Sequence, residues 1–162
     1  MIILLFGPAG AGKTTIAWRL AGKLEGSQVI SSDQFRRKIY RRLMREVRRR
    51  KGEGRYLIVD GTFYRRRWRE ELREAVRGEP ILEVYIHCSL ETCLRRNQER
   101  GSPVPERAIH IIWKEFEPPE KPDLRINTDL TTPEAAAQRI LESIRFMEGR
   151  RWGEWPKGFL RH

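Results

Sequence analysis

Apolar residues along the chain fall into two alternating patterns. Ile2–Phe6 is an unbroken apolar run, as expected for a parallel strand buried on both faces. After a glycine-rich turn, Ile16, Ala17, Leu20 and Leu24 recur at helical spacing. Gln28–Ser31 reads as a short second strand. A helical stretch follows from about Gln34 to Arg50, with Phe35, Ile39, Leu43 and Val47 as a stripe at four-residue spacing. Tyr56–Asp60 is a third strand, followed by a helix from about Tyr64 to Arg77. Ile81–His87 is a fourth strand. Leu90–Arg100 and Glu106–Phe116 read as helices around a loop, and Leu124–Asn127 as a short fifth strand. Thr131-Thr132-Pro133-Glu134 combines a hydroxyl cap, a first-turn proline and a glutamate at capping-box distance. It predicts a last helix running to about Met147. Strands separated by helices imply right-handed crossovers and a parallel α/β sheet with helices on both faces. Ligands of such sheets bind at the carboxyl ends of the strands, so polar groups there are the candidates for function.

The first of those ends carries Gly7-Pro8-Ala9-Gly10-Ala11-Gly12-Lys13-Thr14, a full match to Gly-x-x-x-x-Gly-Lys-Ser/Thr between a buried strand and an amphipathic helix. Backbone N–H groups from Gly7, Gly10, Ala11 and Gly12 can converge on phosphate oxygens, and the helix N-terminus adds partial positive charge. Lys13 is expected to bridge the β- and γ-phosphates of ATP, Thr14 to ligate Mg²⁺ and Thr15 to contact a phosphate one turn on. The pattern points to an ATP-dependent phosphotransferase.

The other strand ends suggest an acceptor side. Asp33 follows the second strand in Ser31-Ser32-Asp33-Gln34-Phe35-Arg36. It suits either proton acceptance from a hydroxyl or a place in the Mg²⁺ shell, and it or Ser32 also suits capping of the next helix. Arg36 is expected on the same helical face, where it can neutralise a phosphate. Asp60 ends an apolar strand, where a carboxylate is costly without a partner. The Mg²⁺ beside Thr14 is the expected one. Arg95, Arg96 and Arg100 precede Gly101 and Pro103. The i,i+4 spacing of Arg96 and Arg100 predicts two guanidiniums on one face of a lid, at about 94–107. They can close on the transferring phosphoryl group, although an ordinary solvated basic face has the same appearance.

Length and charge refine this picture. The 162 residues suit one domain, read as 1–147 followed by a basic, aromatic tail at 148–162. No apolar run reaches a membrane span and no signal peptide is evident, so a cytoplasmic location is expected. Cys88 and Cys93 read as reduced structural thiols. The formal charge is +11, from 33 Lys and Arg against 22 Asp and Glu. Ten of the sixteen residues from Arg36 to Lys51 are Lys or Arg, and Glu46 is the only acid among them. A helix of that charge beside the acceptor side can line up phosphates of RNA or another polynucleotide through Arg37, Arg41, Arg45 and Arg48. Arg65, Arg66, Arg67 and Arg69 form a second basic cluster, partly neutralised by Glu70, Glu71 and Glu74. Trp152, Trp155 and Phe159 among the bases of the tail suit packing onto the domain, or stacking on unpaired bases.

Four segments together resemble the kinase domain of L-seryl-tRNA(Sec) kinase and its relative Kti12, a tRNA-modification factor. They are the glycine-rich turn, Asp33-x-x-Arg36, Asp60-x-x-x-Tyr64-x-x-x-x-Arg69-x-x-Leu72, and the lid pattern. The last comprises Cys93-Leu94-x-Arg96-Asn97-x-x-Arg100, Val104-Pro105, Ile109 and Phe116-Glu117-x-Pro119. The resemblance implies a P-loop fold of five parallel strands in the order 2-3-1-4-5. It also implies ATP and Mg²⁺ on Lys13 and Thr14, Asp33 as base, Arg36 as a substrate or phosphate contact, and Arg96 and Arg100 as lid arginines. Gly61 departs from it, standing where the family usually has Ser or Asp. Polynucleotide 5′-hydroxyl kinases offer a second resemblance through their own P-loop, Asp-x-x-Arg pair and lid arginine. The implied activity is transfer of the γ-phosphoryl of ATP to a hydroxyl on a nucleic acid. A metabolite kinase, or a tRNA-binding ATPase switch without transfer, is the alternative.

Overall fold

The computed structural model describes residues 1–101 and 104–149. Strand β1 (Ile2–Phe6) leads into α1 (Lys13–Ala21), and β2 (Ser27–Ser31) into a 3-10 turn at Ser32–Gln34 and α2 (Ile39–Arg50). Then come β3 (Tyr56–Gly61), α3 (Arg66–Ala75), β4 (Ile81–His87), α4 (Leu90–Gln98), α5 (Glu106–Glu115), β5 (Leu124–Asn127) and α6 (Pro133–Gly149). All neighbouring strands pair in parallel, in the order β2-β3-β1-β4-β5 that the family resemblance implied.

The sheet separates two apolar layers, which explains the unbroken run at the start of the chain. Ile3 and Leu5 pack with Ile16, Leu20 and Ile140 of α1 and α6. Ile2, Leu4 and Phe6 pack with Leu43, Met44, Val47 and Leu72 of α2 and α3. Side chains alternate across a strand, so a central strand covered on both faces needs apolar residues at every position. At α6, the Thr132 hydroxyl accepts a hydrogen bond from the Ala135 N–H at 3.2 Å, the expected cap. Glu134 does not complete a capping box. It reaches across to α1, to Lys23 at 2.7 Å and Arg19 at 3.3 Å.

Two helices differ from their sequence pattern near the strand ends. The second helix begins at Ile39, not near Gln34. The Ser31 hydroxyl accepts from the Asp33 N–H, Phe35 is extended, and Lys38 takes a left-handed φ of 50° as the helix cap. Local side-chain and backbone geometry therefore interrupt what periodicity joined. Met44 enters the buried face, and Ile39 is left exposed. The fourth helix stops at Gln98, short of Arg100. The buried Asn97 side chain both donates to the Val104 carbonyl (2.7 Å) and accepts from its N–H (2.9 Å), closing the connection to α5. Pro103 and the tail at 150–162, with its Trp and Phe residues, lie outside the described residues. Helix α6 extends past Met147 to Gly149, with Glu148 accepting from the Tyr56 hydroxyl at 2.7 Å. No helix among the described residues is long and apolar enough to cross a membrane.

Arg69 explains part of the Tyr64–Leu72 pattern. It is buried in α3, lies over the Phe6 ring, and donates to the carbonyls of Phe63 (2.6 Å) and Glu117 (2.8 Å). It thereby fixes the left-handed Phe63 (φ 45°) and the chain after α5. Replacement by Met leaves two carbonyls without their charged donor. Arg69→Met is expected to cost about 2–4 kcal/mol. Thermal unfolding should show a midpoint lowered by roughly 5–15 °C; an unchanged midpoint would refute the clamp.

Candidate active site

The glycine-rich turn passes between β1 and α1 with no room for side chains at two positions. A Cβ on Gly7 would lie 1.7 Å from the Ile86 carbonyl oxygen of β4. One on Gly10, itself at φ 84°, would lie 2.6 Å from the Cys93 carbonyl oxygen of α4. Gly12 caps α1 in a left-handed conformation and supplies no side-chain acceptor, so no side chain competes for the first-turn N–H groups of α1. Such a turn is a ready anion cradle. Lys13 is almost fully buried, with its Nζ donating to the Pro8 carbonyl at 2.9 Å. Burial lowers its pKa from the ordinary lysine value, while the charges of Asp60 and then Asp33 oppose that shift. The cation therefore faces both carboxylates from inside the turn.

Asp60 forms a hub. Its Oδ2 accepts from the Thr14 hydroxyl at 2.6 Å and the Ser31 hydroxyl at 3.0 Å, and it is 2 % exposed. Strand register brings these together, because Ser31 pairs with Asp60 and Leu5 pairs with Asp60 from the other side. Thr14 and Asp60 supply hydroxyl and carboxylate oxygens, a donor set suited to a hard cation. No group of three or more His, Cys, Asp or Glu among the described residues could hold a metal ion by itself. Phosphate oxygens and water would have to complete a Mg²⁺ shell here, as is usual for that ion. These residues fit a nucleoside triphosphate with Mg²⁺. Ser31 was not singled out from the sequence, although its place at the end of the second strand could have marked it. Thr15 is exposed in the first turn of α1, beside Thr14.

Around this cradle the candidate arginines separate. Asp33 is exposed in the turn after β2, and its Oδ2 lies 3.9 Å from Nη2 of Arg100. The Asp33 charge favours the Lys13 ammonium and the Arg100 charge opposes it. Arg36 does not share a helical face with Asp33, because α2 starts three residues after it; it is exposed in the intervening loop. Nor do Arg96 and Arg100 form a pair on one helix face, because the helix has ended before Arg100. Arg96 is committed to the turn itself. Its Nη1 donates to the Gly10 carbonyl (3.3 Å) and the Thr128 hydroxyl (2.9 Å), and its Nη2 to the Thr128 carbonyl (2.9 Å). Thr128 in turn donates to the Ala11 carbonyl at 2.9 Å. Arg96 and Thr128 brace the turn's carbonyls from below. Thr128 had a signal in the sequence, since it immediately follows the fifth strand.

The two basic clusters also differ. Arg65 pairs with Glu115 and Glu117, and Arg66 with Glu70. Arg67 lies over the Trp68 ring and Arg69 is the buried clamp. In the other cluster, Glu46 takes up Arg49 and Arg50. Arg36, Arg37, Lys38, Arg41, Arg42, Arg45 and Arg48 are exposed and make no ion pair among the described residues. They follow directly from the turn that carries Asp33.

Comparison with known proteins agrees with this geometry. Residues 2–119 match the family model described as an AAA domain. The chain is 31% identical over 153 residues to a probable adenylyl-sulfate kinase of Archaeoglobus fulgidus, covering 79% of this chain and 96% of that protein. It is 33% identical over 66 residues to the L-seryl-tRNA(Sec) kinase of Mus musculus, covering 40% of this chain and 18% of that protein. In fold it is similar to Chaetomium thermophilum Kti12 in complex with ADP-AlF3, with a TM-score of 0.75, 19% identity, and coverage of 90% of this chain and 98% of that one. With its glycine cradle, buried lysine and hydroxyl–carboxylate hub, the chain belongs to the AAA domain family, as a P-loop kinase that uses ATP for phosphoryl transfer.

Proposed function

We propose that this kinase transfers the γ-phosphoryl of ATP to a hydroxyl carried by RNA or another polynucleotide. The observation that carries the reading is the run of seven exposed cations from Arg36 to Arg48, without an ion pair among the described residues and beginning three residues after Asp33. Among the described residues, surface arginines elsewhere mostly have acidic partners, as at Arg49, Arg66 and Arg77. A run without them costs self-repulsion that a polyanion relieves. Arg41, Arg45 and Arg48 share the outer face of α2, and Arg37 continues it into the preceding loop.

In this reading the turn's N–H groups and Lys13 hold the β- and γ-phosphates. Thr14 and Asp60 hold Mg²⁺, which neutralises charge on those oxygens when bound. Asp33 accepts the proton of the acceptor hydroxyl while its oxygen bonds to the γ-phosphorus and the bond to the β–γ bridging oxygen breaks, releasing ADP. Arg100, just past the end of α4, moves from Asp33 to the transferring group, which frees the carboxylate as the site closes. Arg96 keeps the cradle rigid. Arg36 meets a phosphate of the acceptor.

One finding favours a second reading. The near full-length similarity to a protein named as an adenylyl-sulfate kinase supports a small anionic nucleotide as acceptor. Labelled ATP offered with tRNA, 5′-hydroxyl oligonucleotides, adenylyl sulfate and small alcohols separates the two. Label is expected in a polynucleotide; label confined to a small molecule would overturn the nucleic-acid acceptor. Phosphate release stimulated by RNA, with none of the RNA labelled, would select an ATPase switch instead.

Two variants sharpen the test. Asp33→Asn should lower acceptor turnover by about 10²–10⁴-fold, with ATP affinity changed by only a few-fold. Equal loss of both in single-turnover and binding assays would remove Asp33 from proton transfer. The double variant Arg41→Glu/Arg45→Glu should weaken RNA binding and flatten its dependence on salt, by roughly one unit of slope for each phosphate no longer neutralised. An unchanged slope would detach α2 from the acceptor.

A further inference from the structure

The junction of β4 and α4 holds a pair of thiols that phosphoryl transfer does not use. Cys88 and Cys93 are both free and both buried, at 4 % and 0 % exposure. Their Sγ atoms are 3.1 Å apart and hydrogen-bonded. The chain between them is short and fixed. The Ser89 hydroxyl accepts from the Thr92 N–H as the cap of α4, and the Cys93 N–H donates to the Ser89 carbonyl at 3.0 Å. The strand-to-helix turn therefore holds the sulfurs face to face. A covalent S–S bond is about 2.05 Å long, so joining them requires a movement of about 1 Å.

The environment makes the two thiols unequal. The hydrogen bond between the two sulfurs lowers the Cys88 pKa, burial opposes that, and the Arg96 charge adds a smaller lowering. Cys93 is pushed up, first by the same hydrogen bond and then by burial. Cys88, the less buried of the two, is placed as the attacking thiol, with Cys93 beside it as the resolving thiol.

The pair is also in contact with the phosphate cradle. Gly10 is seated against the Cys93 backbone so closely that a Cβ would lie 2.9 Å from its Cα and 2.6 Å from its carbonyl oxygen. One turn further along α4, Arg96 donates to the Gly10 carbonyl. Thr128 links the Ala11 carbonyl, to which its hydroxyl donates at 2.9 Å, to the end of β4, where its N–H donates to the His87 carbonyl at 2.8 Å. Packed backbone transmits small displacements because it has no slack to absorb them. A shift of the first turn of α4 therefore reaches the groups that bind phosphate.

We propose that Cys88 and Cys93 form a redox-modification site, at which a peroxide closes an intramolecular disulfide that loosens nucleotide binding. The Cys88 thiolate attacks one peroxide oxygen, the O–O bond breaks, and the first water leaves as a sulfenic acid forms on Cys88. The Cys93 sulfur then attacks the Cys88 sulfur, the S–O bond breaks, and the second water carries away the Cys93 proton. Two thiols lose two electrons and two protons, and the peroxide is reduced to two waters. A thiol reductant reverses the modification by exchange. The site acts on the cradle, so it is independent of which acceptor the kinase uses.

The test uses the full chain, reduced and then treated with hydrogen peroxide. The intact mass is expected to fall by two hydrogen atoms, and iodoacetamide should label neither cysteine after unfolding. Affinity for a fluorescent ADP analogue should drop by about ten- to a hundredfold, the scale of a displacement near 1 Å at a binding site, and dithiothreitol should restore it. Cys88→Ala should bind the analogue in reducing buffer and no longer respond to peroxide. Three results would each overturn the proposal: both cysteines still alkylated after treatment, a disulfide that leaves affinity unchanged, or a response that persists in Cys88→Ala. Failure to label any polynucleotide would bear on the acceptor reading alone, because nucleotide affinity is the measured quantity here.

Discussion

A turn that offers its N–H groups to phosphate must run backbone against backbone where it crosses the rest of the domain. Here it crosses β4 at Gly7 and α4 at Gly10, with spaces too small for one methyl group at either point. The consequences spread outward. The carbonyls of that turn need partners of their own, and Lys13, Arg96 and Thr128 supply them through Pro8, Gly10 and Ala11. Arg96 is thereby fixed beneath the cradle, and Thr128 at the end of β5 is drawn into the same network. The thiol pair at the start of α4 belongs to it too, because Cys93 is the surface on which Gly10 rests.

Buried charge is distributed around that turn so that each group has a counterpart. The Asp60 carboxylate, held at the end of an apolar strand, receives two hydroxyl donors and faces the Lys13 ammonium. Isolated burial of either ion would cost several kcal/mol. On the surface the balance differs. Exposed pairs such as Arg66–Glu70 or Arg77–Glu74 are each worth about 1 kcal/mol or less, so they do little for stability. Among the described residues they neutralise Arg65, Arg66, Arg73 and Arg77 in and around α3 and leave the run from Arg36 to Arg48 as a cationic surface beside Asp33.

Residues that carry the family resemblance divide between chemistry and architecture. Asp60 reaches Thr14, whereas Arg69 and Leu72 of the same pattern serve the packing of α3. The departure at Gly61 has a packing basis. A Cβ there would lie 2.8 Å from the Phe63 ring and 3.2 Å from the Ser32 Cβ. Phe63 is buried in a left-handed conformation, held by the Tyr40 hydroxyl at its N–H and by Arg69 at its carbonyl. Tyr40 also stacks on Trp68 at 4.4 Å, so the third strand end, α2 and α3 are locked together beneath the acceptor side.

The sequence alone determined the parallel α/β architecture, the glycine cradle and the acids at the ends of β2 and β3. Each of these is written in local pattern: continuous apolar runs for doubly covered strands, helical periodicity between them, and residue types that only one backbone geometry explains. The family resemblance added the strand order. Tertiary structure decided what depends on residues distant in the chain. It interrupted the basic helix at Lys38, which removed Arg36 from the face of Asp33, and it ended α4 before Arg100. It committed Arg96 to the carbonyls of Gly10 and Thr128, brought Ser31 to Asp60, and separated the paired arginines of α3 from the unpaired ones of α2. Spacing along one helix could not reveal these outcomes, because each is set by a hydrogen bond or an ion pair whose partner lies on another element.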